Sequence, residues 1–287
     1  MLKSITIGIP VFNEEKYINN LLNYLNESKF NFQLKEILVV CSGCTDNSEN
    51  TVKNWIKKNK KITILREKTR KGKFSAINKI LRYSTGDYII FIDADTLPRK
   101  NSLNYLVKPL DDSNVGAVSS MPSMARSKNT IIGYFQNFIW DSHDAISYSF
   151  GKMTGELCAI RRGIVKKIPN KIINDDAYLL AQISKTHKIV YQPEARTLIM
   201  GESNFIDYLK KRRRISQGFR QLSKMGFQVS VPSSLILKVV IKKILKEPSK
   251  FFLILLILLI EIYCNILAFI DIRRGRLDYK WDKSCQS

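Results

Sequence analysis

The 287-residue sequence is 45% hydrophobic, enough for one large domain with its own core and an accessory region. A formal net charge of +22 favours anionic partners, such as nucleotides, nucleic acids or acidic lipid headgroups. The two histidines, His143 and His187, are too few and too isolated for a zinc site or a Ser-His-Asp triad. Five cysteines, an odd number, and the lack of a signal-peptide pattern indicate reduced thiols in the cytosol.

The first hundred residues predict alternating strands and helices. Apolar patterning predicts strands at 5–11, 36–40, 62–65 and 88–93, with helices between them. Asn13 is expected to cap the first helix, with Glu14 and Glu15 in its first turn. This alternation indicates parallel βαβ units with right-handed crossovers, whose strand-end loops meet in one crevice.

The stretch from Tyr88 to Pro98 is central to the sequence. Five apolar or aromatic residues run directly into Asp93 and Asp95, and Pro98 ends the run. A short continuous apolar run is typical of a strand buried on both faces, as in a parallel sheet. Two carboxylates at i and i+2 would project to the same side and suit a divalent cation carrying a diphosphate. The alternative is an ordinary Asp-rich turn after a strand.

Two loops match known sites only in part. Cys41-x-x-Cys44 has neither a second cysteine pair for zinc nor a thioredoxin-like context, so neither role is favoured. The loop 70–75 contains cations and a glycine but lacks the remaining residues of a Walker motif. Its lysines can still hold phosphate oxygens at the start of a helix.

The second half mixes helices and strands less regularly. Patterning predicts helices at 102–110, 129–149 and 177–184, and strands at 115–119 and 188–192. The last strand is expected to end at Pro193, and Ser203 to cap the next helix. That helix carries five consecutive cations, 210–214, which point to every side of it. They therefore cannot all belong to one solvent-exposed face, which suggests a functional role. The alternative is an ordinary charged surface helix.

Six short motifs, in this order and spacing, resemble those of family 2 glycosyltransferases: Ile9–Glu15, Ser42–Asp46, Lys71–Lys73, Phe91–Asp95, Thr154–Glu156 and Asp175–Asp176. The resemblance covers residues 4–220 and is greatest to membrane synthases that carry a Gln-x-x-Arg-Trp motif. It implies the GT-A fold, an α/β, Rossmann-like architecture with a mostly parallel central sheet flanked by helices. The implied regions are a GT-A domain, 1–225, with nucleotide-binding (1–98) and acceptor-binding (99–225) halves, and membrane-associated helices, 226–287.

The resemblance also implies a reaction: transfer of a sugar from a nucleotide-diphosphate donor, often a UDP-sugar, to an acceptor hydroxyl, with inversion. Inversion needs a base on the acceptor side, and the family pattern assigns it to Asp176, with Asp175 as the alternative. Asp95 would bind Mg²⁺ or Mn²⁺, and Asp93 would approach the ribose or the metal. Nucleotide-sugar contacts are implied for Pro10, Phe12, Asn13, Glu14, Ser42, Gly43, Lys73, Asp93, Gly155, Arg213 and Arg214.

The sequence departs from the family pattern in two places. The family has an acidic residue where this chain reads Cys41-Ser42, so recognition of the base or ribose would differ. The Gln-x-x-Arg-Trp motif reads Lys211-Arg212-Arg213-Arg214-Ile215, with Lys for Gln and Ile for Trp. Since that tryptophan helps family synthases to hold an extending glycan, we expect transfer of one or a few sugars rather than processive polymerisation.

Residues 251–270 are apolar enough to span a bilayer as a helix of ~30 Å. The apolar residues favour insertion into a bilayer by more free energy than Glu261 costs. The alternative is a helix buried in a soluble protein, because Glu261 would need a partner in lipid. Upstream, 235–245 is apolar on one side, with Lys238, Lys242 and Lys246 suited to an anionic membrane surface. Five cations flank each end of the apolar run and do not orient it, namely 238, 242, 243, 246 and 250 before it, and 273, 274, 276, 280 and 283 after it. A cytoplasmic catalytic face is expected because nucleotide sugars are made in the cytoplasm.

Other functions stay open at this point. A polyprenyl-phosphate glycosyltransferase would use a phosphate acceptor, and a sugar nucleotidyltransferase would release pyrophosphate. The net charge also suits a nucleic-acid-binding protein, but no helix-turn-helix, zinc-finger or RNP-type pattern is present, so nucleic acid is not an expected partner. A membrane scaffold with a degenerate transferase domain is the remaining alternative.

Overall fold

The computed structural model describes residues 3–150, with side chains to 148, together with 153–228 and 231–280. Lys283 and the end of the predicted membrane region lie outside the described residues. The strands are β1 (Ser4–Val11), β2 (Gln33–Ser42), β3 (Ile62–Glu67), β4 (Tyr88–Ile92), β5 (Thr96–Pro98), β6 (Val115–Met124), β7 (Leu157–Arg161) and β8 (Lys188–Ile199). The helices are α1 (Glu15–Glu27), α2 (Ser48–Lys58), α3 (Lys73–Tyr83), α4 (Ser102–Val107), α5 (Ile131–Phe150), α6 (Asp175–Ile183), α7 (Phe205–Lys224), α8 (Ser233–Lys246) and α9 (Phe251–Arg273).

The eight described strands form one sheet in the order β3-β2-β1-β4-β7-β6-β8-β5. β1, β2, β3 and β4 pair in parallel, as the strand–helix alternation predicts. β7 runs antiparallel to both β4 and β6, and β5 runs antiparallel to β8, so the second half is mixed. The parallel half therefore ends at β4, because its next neighbour in the sheet, β7, runs in the opposite direction.

β4 shows why its sequence is continuously apolar. Ile90 and Ile92 belong to one core layer, which also receives α1, α2 and α4. Ile89 and Phe91 point to the opposite layer, which receives α3 and α6. Helices cover both faces of the sheet, so each β4 residue from Ile89 onward is buried whichever way it points. The strand thus delivers the next residues of the chain to a fixed sheet edge.

Two helix starts differ from the predictions. Glu14, not Asn13, immediately precedes α1. Asn13 has a φ of 51°, and its side-chain oxygen accepts a hydrogen bond from the backbone N–H of Thr45 at 2.9 Å, so it joins two loops instead of capping a helix. Asn204, rather than Ser203, caps α7 by accepting a hydrogen bond from a first-turn backbone N–H.

Two strand boundaries also differ. β8 continues through Pro193 to Ile199 because its pairing with β6 is irregular there, jumping from Tyr191 to Arg196. The bulge takes the proline out of the ladder, where its missing N–H costs no hydrogen bond. Pro98 does not lie in an irregular turn after β4. Residues 96–98 instead form the short edge strand β5, which pairs with β8.

A third core cluster joins the C-terminal helices to α5 and α7. Phe135 and Phe138 of α5, Tyr208 of α7, and Ile254 and Ile257 of α9 are all buried in it. Residues Pro248–Arg273 form the one helical stretch, among the residues described, that is long and apolar enough to cross a membrane, and an 18-residue window within it has a mean hydropathy of 2.7. The helix is therefore both strongly apolar and attached to the rest of the fold.

Candidate active site

The carboxyl ends of β1 to β4 lie at one sheet edge because these strands are parallel. β7 is antiparallel to β4, so the loop before β7 reaches the same edge. There, the backbone N–H of Asp93 donates to the carbonyl oxygen of Glu156 at 3.0 Å. The Asp93-Ala94-Asp95 segment and the Thr154–Glu156 motif are thus joined through the backbone.

Lys73, at the start of α3, lies between these segments. Its Nζ is 2.7 Å from Oδ1 of Asp93 and 2.8 Å from Oδ2. It also donates to the carbonyl oxygen of Gly155 at 3.3 Å and lies 3.8 Å from Oδ2 of Asp175. One cation therefore links three of the six motifs, 71–73, 91–95 and 175–176, and touches a fourth.

Gly155 allows this close approach. A Cβ at this position would lie 3.3 Å from Nζ of Lys73 and 3.6 Å from Cβ and Cγ of Asp176. A side chain there would press against the amine of Lys73 and contact Asp176, so the backbone of the motif passes between the basic and acidic side chains. Asp175 is nearly buried, with 10% of its side chain exposed, whereas Asp176 is only partly buried. Of the two, Asp176 is more accessible to an incoming acceptor.

Ionisation at this edge is strongly perturbed. Burial raises the pKa of Asp93 to about 7; Asp95 adds to this increase and Lys73 opposes it. Burial likewise raises the pKa of Asp95, against the charges of Lys211 and Lys73. Burial alone would lower the pKa of Lys73, but Asp175 and Asp93 raise it above its usual value. Such opposing shifts are typical of functional sites.

Helix α7 contributes two cations to this edge. Lys211 lies 2.7 Å from a carboxylate oxygen of Glu202, and its pKa is raised mainly by Glu202 and Glu156, against the effect of burial. Arg214 donates to the carbonyl oxygen of Ile173 at 3.3 Å. Burial lowers the pKa of Arg214, opposed by the negative charges of Asp175 and Asp176. Lys211 and Arg214, the first and fourth residues of the altered motif, thus face the acidic groups.

The two arginines between them point elsewhere. Arg212 donates to both oxygens of Glu261 on α9, at 2.6 and 2.7 Å. Arg213 donates to both oxygens of Asp271, also on α9. Of the two arginines predicted to contact the nucleotide sugar, only Arg214 lies with the acidic cluster. The structure places Arg213 in an interhelical ion pair.

The predicted nucleoside loops lie beside the cluster, where β1 and β2 end. Pro10 is in β1, and the ring of Phe12 lies under the guanidinium of Arg70, 3.7 Å from ring centroid to Cζ. The backbone N–H of Glu14, a buried residue, donates to Oγ of Ser48 at 2.8 Å.

The Ser42-Gly43 turn is held by Glu67, at the end of β3. Oγ of Ser42 and Oγ of Ser75 both donate to the carboxylate of Glu67. Gly43 has a φ of 65°, and a Cβ there would meet the backbone N of Arg70 at 2.5 Å, so glycine is required. Glu67 supplies a carboxylate next to the position where the family's own acidic residue is missing.

The Cys41 and Cys44 side chains are thiols, and the four cysteines of the described residues form no disulfide. Sγ of Cys44 donates to the carbonyl oxygen of Val11 at 3.5 Å, joining its loop to the end of β1. Nothing in the described part of the chain adds a second cysteine pair.

The carboxylates fit a divalent cation that arrives together with a diphosphate. In the described ranges, no three or more His, Cys, Asp or Glu side chains converge as a self-contained metal site. Mg²⁺ commonly takes one or two protein carboxylates and completes its shell with phosphate oxygens and water. Asp93 and Asp95 provide that number of hard oxygen ligands at a partly exposed edge.

Comparison with known proteins supports this arrangement. A sequence model described as "Glycosyl transferase family 2" matches residues 6–168, more than half of the chain. The chain belongs to glycosyltransferase family 2. Its enzymatic class and its GT-A fold, both implied by the motifs, are confirmed.

Curated relatives of this glycosyltransferase include synthases. It is 23% identical over 238 residues to a poly-beta-1,6-N-acetyl-D-glucosamine synthase of Staphylococcus aureus, covering 79% of this chain and 57% of the relative. It is 27% identical over 232 residues to a probable glycosyltransferase, YdaM, of Bacillus subtilis, covering 76% and 55%. The chain thus spans little more than half the length of these relatives.

Solved structures share the fold at low identity. A mannosyltransferase from Pyrobaculum calidifontis, solved with GDP-Man and Mn²⁺, superposes with a TM-score of 0.64 at 19% identity, covering 96% of this chain and 75% of that one. Glucosyl-3-phosphoglycerate synthase from Mycobacterium tuberculosis, solved with Mn²⁺ and UDP, gives a TM-score of 0.54 at 17% identity, covering 79% and 81%. Both neighbours hold a divalent cation and a nucleotide.

Four acidic or basic residues at this edge were not among the predicted site residues: Glu67, Glu156, Glu202 and Lys211. Glu156 and Lys211 stand inside motifs that the sequence already singles out, so motif membership was a usable signal. Glu202 follows β8 and has no motif around it. Its carboxylate is held by long-range contacts, with Lys211 of α7 at 2.7 Å and with Nε2 of Gln136 of α5 at 3.0 Å.

Proposed function

We propose that this glycosyltransferase transfers a sugar, with inversion, from a nucleotide-diphosphate donor to a hydroxyl of a lipid-linked or growing glycan. A UDP-sugar is the favoured donor, and the enzyme acts at a membrane with its catalytic domain in the cytoplasm. The observation that carries the proposal is the contact of Lys73 with Asp93, Gly155 and Asp175, which draws donor-side and acceptor-side motifs into one cluster.

On the donor side, the loops after β1 and β2 would hold the nucleoside, and Asp93 and Asp95 would hold Mg²⁺ or Mn²⁺. The bound ion would neutralise the negative charge that develops on the leaving diphosphate. Lys73 and Arg214 would contact phosphate oxygens, and their proximity to the acidic groups of the cluster supports this role. Donor binding would then exchange part of their pairing with carboxylates for pairing with phosphates.

On the acceptor side, Asp176 would take the proton from the attacking hydroxyl. Its Oδ1 accepts a hydrogen bond from the backbone N–H of Ala177 at 2.8 Å, which fixes the carboxylate at the start of α6. Asp175 lies deeper and is close to Lys73, so its role is to orient Lys73 and, through it, the donor. Asp175 is the alternative base.

One change relative to the family pattern limits the length of the product. Ile215 stands where family synthases carry a tryptophan, so the acceptor has one aromatic platform fewer. We expect short additions of one or a few sugars. A ladder of long products from the purified enzyme would contradict this.

The proposal is tested with a panel of nucleotide sugars, using thermal shift and donor hydrolysis with Mn²⁺, Mg²⁺ or a chelator. At least one donor should stabilise the chain only when the metal is present. Asp95→Ala should remove this stabilisation, whereas Asp176→Asn should keep it and stop transfer. If Asp176→Asn and Asp175→Asn both transfer normally, neither carboxylate is needed as a base, which favours an already ionised phosphate acceptor and a polyprenyl-phosphate glycosyltransferase. No response to any donor would refute the proposal.

A further inference from the structure

Helix α9 has two contrasting faces. The inner face is buried and consists of Ile254, Ile257, Ile260, Cys264, Ala268 and Asp271. The outer face is exposed and, apart from the polar Asn265, apolar or aromatic, with Phe252, Leu255, Leu256, Leu259, Ile262, Tyr263, Ile266 and Phe269. Between Phe252 and Phe269 it extends ~26 Å along the helix axis. A continuous exposed apolar surface of this length marks a site of interaction.

The inner face is attached to the catalytic fold from one end of α9 to the other. Near the first turn, Ile254 and Ile257 join the cluster formed by α5 and α7. Near the middle, Glu261 receives both hydrogen bonds of Arg212, at 2.6 and 2.7 Å. Near the end, Asp271 accepts hydrogen bonds from Arg213 and from Nε2 of Gln217, the latter at 2.6 Å. α9 therefore lies along α7 instead of projecting away from it.

This attachment disfavours a helix that crosses a bilayer. If α9 spanned the hydrocarbon core, α7 would be drawn in with it, since the two are joined along most of the length of α9. α7 carries the five cations 210–214, and Lys211 and Arg214 face the polar active-site edge. Placing such groups in hydrocarbon is costly, whereas a helix lying in the interface exposes only its outer face to lipid.

Helix α8 extends the same kind of surface and adds charge. Ile236, Leu237, Ile241 and Leu245 are exposed, and no residue of α8 is fully buried. An exposed lysine directly follows each of the last three: Lys238, Lys242 and Lys246. On the other side of the helix, Nζ of Lys243 lies 2.8 Å from Oδ2 of Asp141 and ties α8 to α5. An apolar strip bordered by lysines matches an interface with anionic headgroups.

We infer that the outer faces of α8 and α9 form a monotopic docking surface that lies flat on an anionic lipid membrane, with both ends of α9 on the same side. The inference rests on the membrane association proposed above and specifies its geometry. α7 belongs at once to the active site and to the support of α9. Membrane docking would thus hold the catalytic edge at a fixed height above the lipid, where a lipid-linked acceptor is presented.

The geometry is tested by labelling with a membrane-impermeant thiol reagent in sealed, inside-out vesicles from expressing cells. Single cysteines are introduced before α9 (Ser249→Cys), after α9 (Arg276→Cys) and, as a reference, on α2 (Lys57→Cys). Each is compared with a parent chain carrying Cys285→Ser. All three positions should be labelled from the same side. Labelling of positions 249 and 276 from opposite sides would overturn the inference and leave the proposed transferase function intact.

Binding of this surface to an anionic membrane is tested by flotation of the full chain with vesicles of phosphatidylcholine alone or mixed with phosphatidylglycerol. The chain should float with the anionic vesicles, and Leu256→Asp combined with Leu259→Asp should lower the bound fraction about tenfold. Tyr83→Asp, an equally exposed aromatic position on α3, is the matched control and should float normally. Thermal shift with a donor checks that the double variant is folded. Undiminished flotation of that variant, or a stable dimer that buries this face and does not float, would overturn the inference.

Discussion

Two groups of ionisable side chains lie on different sides of α7, and they differ in how their charges are paired. Towards α9, Arg212 and Arg213 each donate two hydrogen bonds to one carboxylate, so each positive charge is paired with one negative charge. Towards the sheet edge, Lys73 is shared between two carboxylates, those of Asp93 and Asp175, and the pKa values of Asp93 and Asp95 are raised by burial. The first group is complete in itself and holds two helices together. The second retains acidic groups at a partly exposed edge, which suits an incoming cation and diphosphate.

The largest effect should come from the proposed base. Asp176→Asn removes the proton acceptor while keeping the shape of the side chain, so kcat should fall by about 10²–10⁴-fold. Affinity for the donor should change little, because Asp176 lies on the acceptor side. Single-turnover transfer and calorimetric donor binding measure the two effects separately. A parallel loss of both would mean that Asp176 belongs to the donor site.

The next largest effect concerns the arginine–carboxylate ion pairs between α7 and α9. Glu261→Leu leaves the guanidinium of Arg212 partly buried without its partner, which should lower the free energy of unfolding by about 3 kcal/mol. Combining it with Arg212→Leu should recover much of that loss, since the unpaired charge is removed. Denaturant unfolding in detergent gives all three values. If Glu261→Leu leaves stability unchanged, the pair does not hold α9 to α7.

The two faces of α9 can be compared directly by substituting adjacent residues. Ile257→Ala creates a cavity in the buried cluster and should cost about 2–4 kcal/mol of stability. Leu256→Ala, one residue earlier on the outer face, should cost less than about 0.5 kcal/mol in detergent. Thermal unfolding of both variants measures the two losses of stability. Equal losses would mean that both faces of α9 pack against protein.

The smallest of these effects should come from Lys73, because its role is shared. Lys73→Met removes one charged contact to the donor phosphates, worth about 1.5–3 kcal/mol. Donor affinity should fall about 10- to 150-fold, with a smaller change in kcat. Isothermal titration with the best donor measures this. Lys79→Met, a variant of a half-buried lysine on the same helix whose Nζ donates to the carbonyl oxygen of Arg66, is the control and should bind normally.

Some of the site could be predicted from sequence because local pattern and position determine it. The apolar run before Asp93 is continuous since both sheet faces are covered, and that pattern alone places Asp93 and Asp95 at a strand end. Parallel pairing then brings Lys73 to the same edge. Glu202 and Glu67 have no comparable signal, because each is placed by tertiary pairing, one with Lys211 and one with two serines.

The C-terminal region shows the opposite case. Twenty apolar residues satisfy the length and composition of a spanning helix equally well whether the helix crosses lipid or lies along another helix. What distinguishes the two arrangements is the partner of Glu261, and nothing in its neighbourhood in sequence identifies Arg212, 49 residues away. For the same reason Arg213 was expected in the nucleotide site, although the fold pairs it with Asp271. Long-range ion pairs depend on topology, not on local pattern.

Calorimetric titration of a nucleotide-sugar panel, with Mn²⁺ or with chelator, tests most directly whether the acidic edge works through a cation. The native chain should bind one donor class with Mn²⁺ and lose that binding in chelator. Asp95→Ala should bind weakly in both conditions, while Glu194→Ala, which removes an exposed carboxylate, should behave like the native chain. Equal donor binding with and without metal, or unchanged metal-dependent binding by Asp95→Ala, would contradict the account.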